Sequence, residues 1–153
     1  MQTTRFGEIT VSEKSIVNMP EGMVGFGRYK RYVLLEDKPD TPLKWLQSLD
    51  EPSLAFIVVN PLEFVKNYDF DIPDEDADML GLQSPDQAVV LTTVTVDSDG
   101  TEVTTNLLGP IVINSLTLDA KQIVVQDDRY GTKHLIGKNA GAESAASAVA
   151  KAA

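Results

Sequence analysis

The chain has no cysteine and a single histidine among its 153 residues. Without thiols there is no disulfide framework, no cysteine nucleophile and no thiolate zinc site, and such a composition suits a reducing compartment. One imidazole excludes any site that needs two, and Tyr130-Gly131-Thr132-Lys133-His134-Leu135 has no nucleophile pattern beside it. His134 reads as an ordinary polar or capping residue. Long apolar runs are missing too: nothing approaches the roughly 20 residues that cross a bilayer, and the first residues carry no apolar signal core. The expectation is a soluble protein that stays in the cytoplasm. Basic side chains are scarce, with 13 Lys and Arg against 23 Asp and Glu, a formal net charge of -10. That surface repels nucleic-acid phosphates and anionic lipid and favours basic partners, so no direct contact with nucleic acid or membrane is expected.

What is present is enough apolar material for one core. Hydrophobic residues make up 42% of the chain, which at this length supports a domain without disulfide or metal staples. Short Val- and Ile-rich runs dominate, at residues 9–11, 15–18 and 32–35, and they predict strands. Residues 54–59, an unbroken apolar run between Pro52 and Asn60-Pro61, predict a central strand covered on both faces. Ala88 to Val96 and residues 103–105 flank Asp97-Ser98-Asp99-Gly100 and predict a hairpin. Residues 110–114 and 122–125 complete the strand set. Tyr68-Asp69-Phe70-Asp71-Ile72 alternates with period two, one side core and one side wet.

Helical signals are few. Residues 43–49 predict a short helix or turn, with Leu43, Leu46 and Trp45 or Leu49 on one face. Residues 74–81 predict the one true helix before the tail, capped by Asp74, acidic in its first turn and leaving at Gly81. Between Met19 and Gly27 the sequence predicts a loop that tucks Met23, Val24 and Phe26 back onto the body, with Gly22 and Gly25 in backbone conformations other residues resist. The pattern points to a mainly β barrel or sandwich over residues 1–138. The Ala-, Ser- and Gly-rich stretch 139–153 is expected to be a frayed helix or a disordered extension.

No chemistry-bearing motif stands out. The carboxylates of Asp74, Glu75, Asp76 and Asp78 lack the sixth-position glycine and twelfth-position glutamate of an EF-hand, and read as a solvated acidic face. Gly22, Gly25 and Gly27 have neither the spacing nor the lysine of a phosphate loop. Neither Asp127-Asp128 nor the pair Asp69 and Asp71 shows a neighbour that would perturb its acidity. No enzyme, cofactor or metal site is expected.

Thr105-Asn106-Leu107-Leu108-Gly109-Pro110-Ile111-Val112-Ile113-Asn114 is the most distinctive stretch, a Gly-Pro turn feeding a β-branched run that ends in Asn. It stands with Pro20-Glu21-Gly22, Gly25-Phe26, Leu46-Gln47-Ser48, Phe56-Ile57-Val58, Asn60-Pro61, Tyr68, Lys121-Gln122 and Tyr130, in that order along the chain. In this combination the chain resembles the FliW flagellar assembly factor family from about Thr3 to Ile136. Two features depart from the resemblance: Gly109, where an alanine is expected, and the tail beyond Gly137.

The resemblance implies a single small antiparallel β-barrel with one or two short helices and no catalysis. It also implies a partner-switching role: the protein binds flagellin and the translational regulator CsrA, and thereby relieves repression of flagellin mRNA. Two contact hypotheses follow. Asp69, Asp71, Asp74, Glu75, Asp76 and Asp78 are candidates for the CsrA contact because of their local charge density. Met23, Phe26 and Tyr68 are candidates for anchoring an amphipathic flagellin helix. The alternatives are a flagellin adaptor with no CsrA regulation and a small ligand-binding barrel with Asn106 or Asn114 in its pocket.

Overall fold

β-Branched runs bounded by turn residues become the strands of a curled antiparallel sheet, seen in a computed structural model that describes residues 1–36 and 41–138. The strands are β1 Gln2–Thr3, β2 Gly7–Glu8, β3 Ile16–Asn18, β4 Arg31–Leu35, β5 Lys44–Ser48, β6 Ala55–Val59, β7 Ala88–Val96, β8 Glu102–Thr105, β9 Ile111–Asn114, β10 Ala120–Gln122 and β11 His134–Lys138. One α-helix, α1 Asp74–Met79, accompanies them among the described residues. β1 and β2 pair only with each other. The rest form one sheet in the order β10-β9-β7-β6-β5-β4-β3, with β8 on β7 and β11 on β8. The expected tail, 139–153, lies outside the described residues, as do residues 37–40.

The two ends of that order meet. Asn18 at the end of β3 forms a parallel bridge to Asp119 just before β10, with its N–H donating to Leu118 O at 2.9 Å. The Val24 N–H adds a second tie across the seam by donating to Gln122 Oε1 at 2.8 Å. A twisted sheet pinned at one corner is a half-barrel. Its concave face is filled by Val17, Tyr32, Leu46, Val58, Leu91 and Ile111, joined by Met19 and Met23 from the loop after β3. Val17 and Ala120 come from opposite ends of the strand order yet share this cluster, which only a curled sheet permits.

The convex face is covered as well. Leu43, Phe64 and Ile136 pack over Val59, Val94 and Val103. Phe70, Ile72 and Leu80 pack over Val112 and Ile123. The segment between β6 and β7, which carries α1, is thus a lid on the sheet, and full burial of a side chain such as Leu80 contributes about 2–3 kcal/mol.

β8 and β9 are successive pieces of chain that both run antiparallel to β7. Val94 pairs with Thr105; continuing that register would set Leu108 opposite Leu91, but Ile111 is there instead, so three residues are looped out. The loop holds Asn106 and the Gly-Pro turn.

Several expectations need correction. Residues 43–49 are not a helix: Trp45, Leu46, Gln47 and Ser48 are all buried in β5, which pairs with β4 and β6 on its two edges. Ladder bonds on both sides override a weak helical spacing. Gln47 and Ser48 then have a structural role. The Gln47 amide donates to Ser48 O, Pro52 O and Leu54 O, and Ser48 Oγ accepts from the N–H groups of Asp50 and Glu51. Together they hold the turn into β6. Residues 9–11 form no strand, and the strand expected at 122–125 is shifted to Ala120–Gln122. Residues 68–72 keep their alternation, Tyr68 buried and Asp69 and Asp71 exposed, without joining any ladder. Asp74 is not the cap of α1: Pro73 is, with no side-chain bond, and Asp74 is the first helical residue. The exit at Gly81 is as expected, with Leu82 N–H donating to Ala77 O and Gly81 N–H to Asp78 O. β11 escaped the sequence reading, because Gly137 breaks its pattern just where a register shift occurs.

Gly22 and Gly25 both have positive φ, +67° and +85°. They differ in their surroundings: a Cβ on Gly22 would sit 2.6 Å from Phe26 O, whereas one on Gly25 meets nothing. Gly22→Ala is therefore expected to cost about 2–4 kcal/mol and Gly25→Ala only about 1 kcal/mol. Urea midpoints of the two variants check the difference, and equal losses would contradict it.

Asp50 ties the start of β4 to the turn after β5. Its Oδ2 accepts from the N–H groups of Lys30 (2.7 Å) and Arg31 (3.0 Å), and its Oδ1 accepts from Arg31 Nε (3.0 Å). Partial burial raises its pKa, but the two backbone donors and the Arg31 side chain outweigh this and hold it below the usual aspartate value. The folded state therefore binds fewer protons than the unfolded one, and the stabilisation is complete above the unfolded pKa and lost as pH falls through the folded one. Asp50→Asn is expected to lower stability by about 1 kcal/mol at neutral pH. The gap to the parent should close under acid, which urea titrations at pH 7 and at about pH 3 read directly.

Candidate interaction surfaces

The acidic segment is built on the lid. Pro73 starts α1, and Asp74, Glu75 and Asp76 occupy its first turn, where the peptide dipoles favour negative charge. Asp71, Asp74, Glu75 and Asp78 are exposed and form no ion pair among the described residues. The other two carboxylates are engaged. Asp76 pairs with Lys121, whose ammonium also reaches Glu21 at 3.1 Å. Asp69 accepts from Arg129 at 2.9 Å, and Arg129 is held in turn by Asp127 at 2.8 Å. That guanidinium, first through its side-chain bonds, keeps the Asp127 carboxyl below the usual range. A cleft of about 390 Å³ runs between residues 69–73 and 123–129, with Asp69, Asp71 and Asp127 on its walls beside the exposed Val124.

The three apolar candidates separate. Met23 is 3% exposed and belongs to the concave core, and Tyr68 is 7% exposed. Tyr68 stacks edge-on against Tyr130 with centroids 4.9 Å apart, and its hydroxyl donates to Leu107 O at 2.7 Å. Burial, together with the neighbouring Tyr130, pushes the Tyr68 phenol well above its ordinary range. Both side chains are committed inward, so neither is a surface anchor. Phe26 remains: it is 38% exposed and lies edge-on to Phe56 at 5.2 Å, and Val24, expected to tuck inward with it, is instead 65% exposed because the loop turns its side chain away from the concave core.

The polar candidates separate too. Asn114 is buried, with Nδ2 donating to Leu80 O and Oδ1 accepting from Leu116 N–H, so it joins β9 to the lid and shapes the turn to β10. Asn106 does line a cleft, described below. His134 sits opposite Thr105 in the β8–β11 ladder. No group of three or more metal-ligating side chains gathers among the described residues. None of their helices is long and apolar enough to cross a membrane.

The FliW protein family model matches residues 1–136. The chain belongs to the FliW family. It is 46% identical over 132 residues to the flagellar assembly factor FliW of Geobacter sulfurreducens, covering 86% of this chain and 82% of that one. The Bacillus subtilis flagellar assembly factor FliW is 37% identical over 137 residues, covering 90% and 96%. A crystal structure of the flagellar assembly factor FliW superimposes with a TM-score of 0.83 at 31% identity, covering 92% of this chain and 98% of that one. These relatives are named as assembly factors, not as enzymes.

Within this FliW fold the motif residues have mainly architectural duties. Gln122 accepts from Val24 N–H and donates to Gly109 O at 3.0 Å, linking the glycine loop to the looped-out segment. Tyr130 accepts from Asp69 N–H at 3.0 Å, which fixes the start of the acidic segment. Sequence reasoning missed Lys121 and Arg129 as organisers of the acidic face. The available signal was that a cation amid so many carboxylates must pair with some of them. Removing the hydroxyl in Tyr68→Phe leaves Leu107 O without its buried donor and is expected to cost about 1–3 kcal/mol. The thermal midpoint should fall while the far-ultraviolet circular dichroism stays unchanged.

Proposed function

We propose that the chain is a cytoplasmic flagellar assembly factor that switches between flagellin and the translational regulator CsrA, so that its release from flagellin relieves CsrA repression of flagellin mRNA. Family membership supports the flagellar setting. The observation that carries the CsrA half is the acidic face: Asp71, Asp74, Glu75 and Asp78 stand exposed on the lid without an ion pair among the described residues, beside the paired Asp69 and Asp76. An RNA-binding regulator must present basic surface, and an anionic face speeds and orients encounter with it. A preorganised face also spares the ordering cost that a flexible acidic segment would bear. For flagellin the reading rests on Phe26 and Val24 as exposed apolar contacts, with Met23 supporting them from below and Tyr68 bracing the lid elsewhere.

The rival readings make different demands. A flagellin-only adaptor would ignore CsrA. A ligand-binding barrel would set carboxylates with Asn106 or Asn114 in one pocket; the cleft that Asn106 lines has no carboxylate among its lining residues, and the commitment of Asn114 to Leu80 weighs against the other.

Titration of CsrA into the purified protein, with and without flagellin, is the direct test: flagellin is expected to weaken CsrA capture. Changing Asp71, Asp74, Glu75 and Asp78 together to their amides should weaken the CsrA complex about tenfold or more at low salt and flatten its salt dependence. Unchanged affinity at low salt would remove this face from the contact. Phe26→Ser, checked for folding, should lose flagellin capture and keep CsrA; retained capture would return Phe26 to a packing role.

A further inference from the structure

The sheet opens where β6 and β7 part. These strands pair only at Val58–Thr93 and Val59–Thr92, after which residues 55–57 and 94–96 run on without a bridge between them. β5 occupies the other edge of β6 and β8 the other edge of β7. Thr93 O accepts from Asn106 N–H and Thr105 Oγ1, so it faces β8 and the looped-out segment. Main-chain groups alternate sides along a strand, which turns those of Val94 toward β6 and into the opening. A cleft of about 420 Å³ lies there, reaching from Arg5 and Trp45 on one side to Asn106 and Met23 on the other.

Arg5 is the unusual member. Its guanidinium lies over the Trp45 ring at 5.1 Å and has no carboxylate partner among the described residues, in a chain with ten more acidic than basic side chains. Its Nε is buried and has no acceptor among the described residues. A buried, unspent donor on a fixed cation is costly unless an acceptor arrives from outside. The lining is mixed, with Phe56, Ile57 and Val94 beside Thr93, Thr95, Asn106 and Gln122, and Val24 exposed at the rim.

We propose that this cleft binds an extended peptide segment of a protein partner, with a carboxylate side chain of that segment on Arg5. The segment's main chain meets the unpaired groups of Ile57 and Val94, and the apolar residue beside its carboxylate rests on Phe56 and Val24. Sequence tolerance outside the carboxylate follows, since backbone bonds read no side chain. The assignment is independent of the partner-switching reading and stands or falls without CsrA.

The test is a nuclear magnetic resonance titration of the full chain with acetyl-VTVEV-amide and its glutamine counterpart, acetyl-VTVQV-amide. The acidic peptide is expected to shift the amide signals of Ile57 and Val94 and to bind at least about tenfold more tightly than the neutral one. Arg5→Gln should abolish the difference and Arg5→Lys should retain part of it, each variant first matched to the parent by urea midpoint. Equal binding of both peptides, shifts centred elsewhere, or no binding at millimolar peptide would overturn the proposal. Acetate alone reproducing the shifts at the same concentration would make the cleft a simple anion site and overturn it as well. Self-association that Arg5→Gln removes would assign the cleft to a second copy of the chain instead.

Discussion

Strand β7 is the element on which the architecture depends. Its backbone pairs with β6, β8 and β9, and through β9 it reaches β10 while through β6 it reaches β5, β4 and β3. Each partner takes only part of its nine residues. The sheet therefore divides along β7, curling toward the Asn18–Asp119 seam at one end and opening at the other. Both the closed corner and the cleft come from this one distribution of hydrogen bonds. A strand with one neighbour per edge along its whole length would produce neither.

The surfaces follow from how the two faces of that sheet are covered. The concave face is sealed by the glycine loop, and its apolar residues divide accordingly, Met23 inward and Val24 outward. The convex face is covered by the long connection between β6 and β7, which brings its carboxylates to the surface by alternation and then by the first turn of α1. Lys121 stands between the two coverings and bonds to both, through Glu21 and Asp76. The acidic face and the loop bearing Phe26 are thus attached to one framework residue on β10.

Much of this was legible in the residues. β4, β6, the β7–β8 hairpin, β9, α1 and the two left-handed glycines all announce themselves by short β-branched runs, turn residues or acidic first turns. β5 was misread because Leu43, Leu46 and Leu49 mimic a helical face, while what decides the matter is a neighbour on each edge, a non-local fact. β11 was hidden by its glycine and its bulge. Of the proposed contact residues, Asp69, Asp71, Asp74, Glu75 and Asp78 are on the surface as the charge pattern reads, while Asp76 is half-buried against Lys121. Met23 and Tyr68 are not on the surface, and a large apolar residue in a loop carries no mark of which way it turns. Nothing in the sequence distinguishes Arg5 from other arginines; its seat on Trp45, together with its buried Nε that has no acceptor among the described residues, does.

The three-residue offset between β8 and β9 has a consequence for how the chain tolerates change. Opposed residues share a face, so Thr105 points the way Val94 does and Ile111 the way Leu91 does, toward opposite sides of the sheet. Odd-numbered positions are convex in β8 and concave in β9. An odd number of looped-out residues is what reverses the parity. The faces of β9 are therefore set by its own register on β7, Ile111 opposite Leu91, and not by counting from β8: a residue added between Asn106 and Pro110 lengthens the loop, whereas a one-residue slip of β9 along β7 would turn Ile111 and Ile113 out of the core.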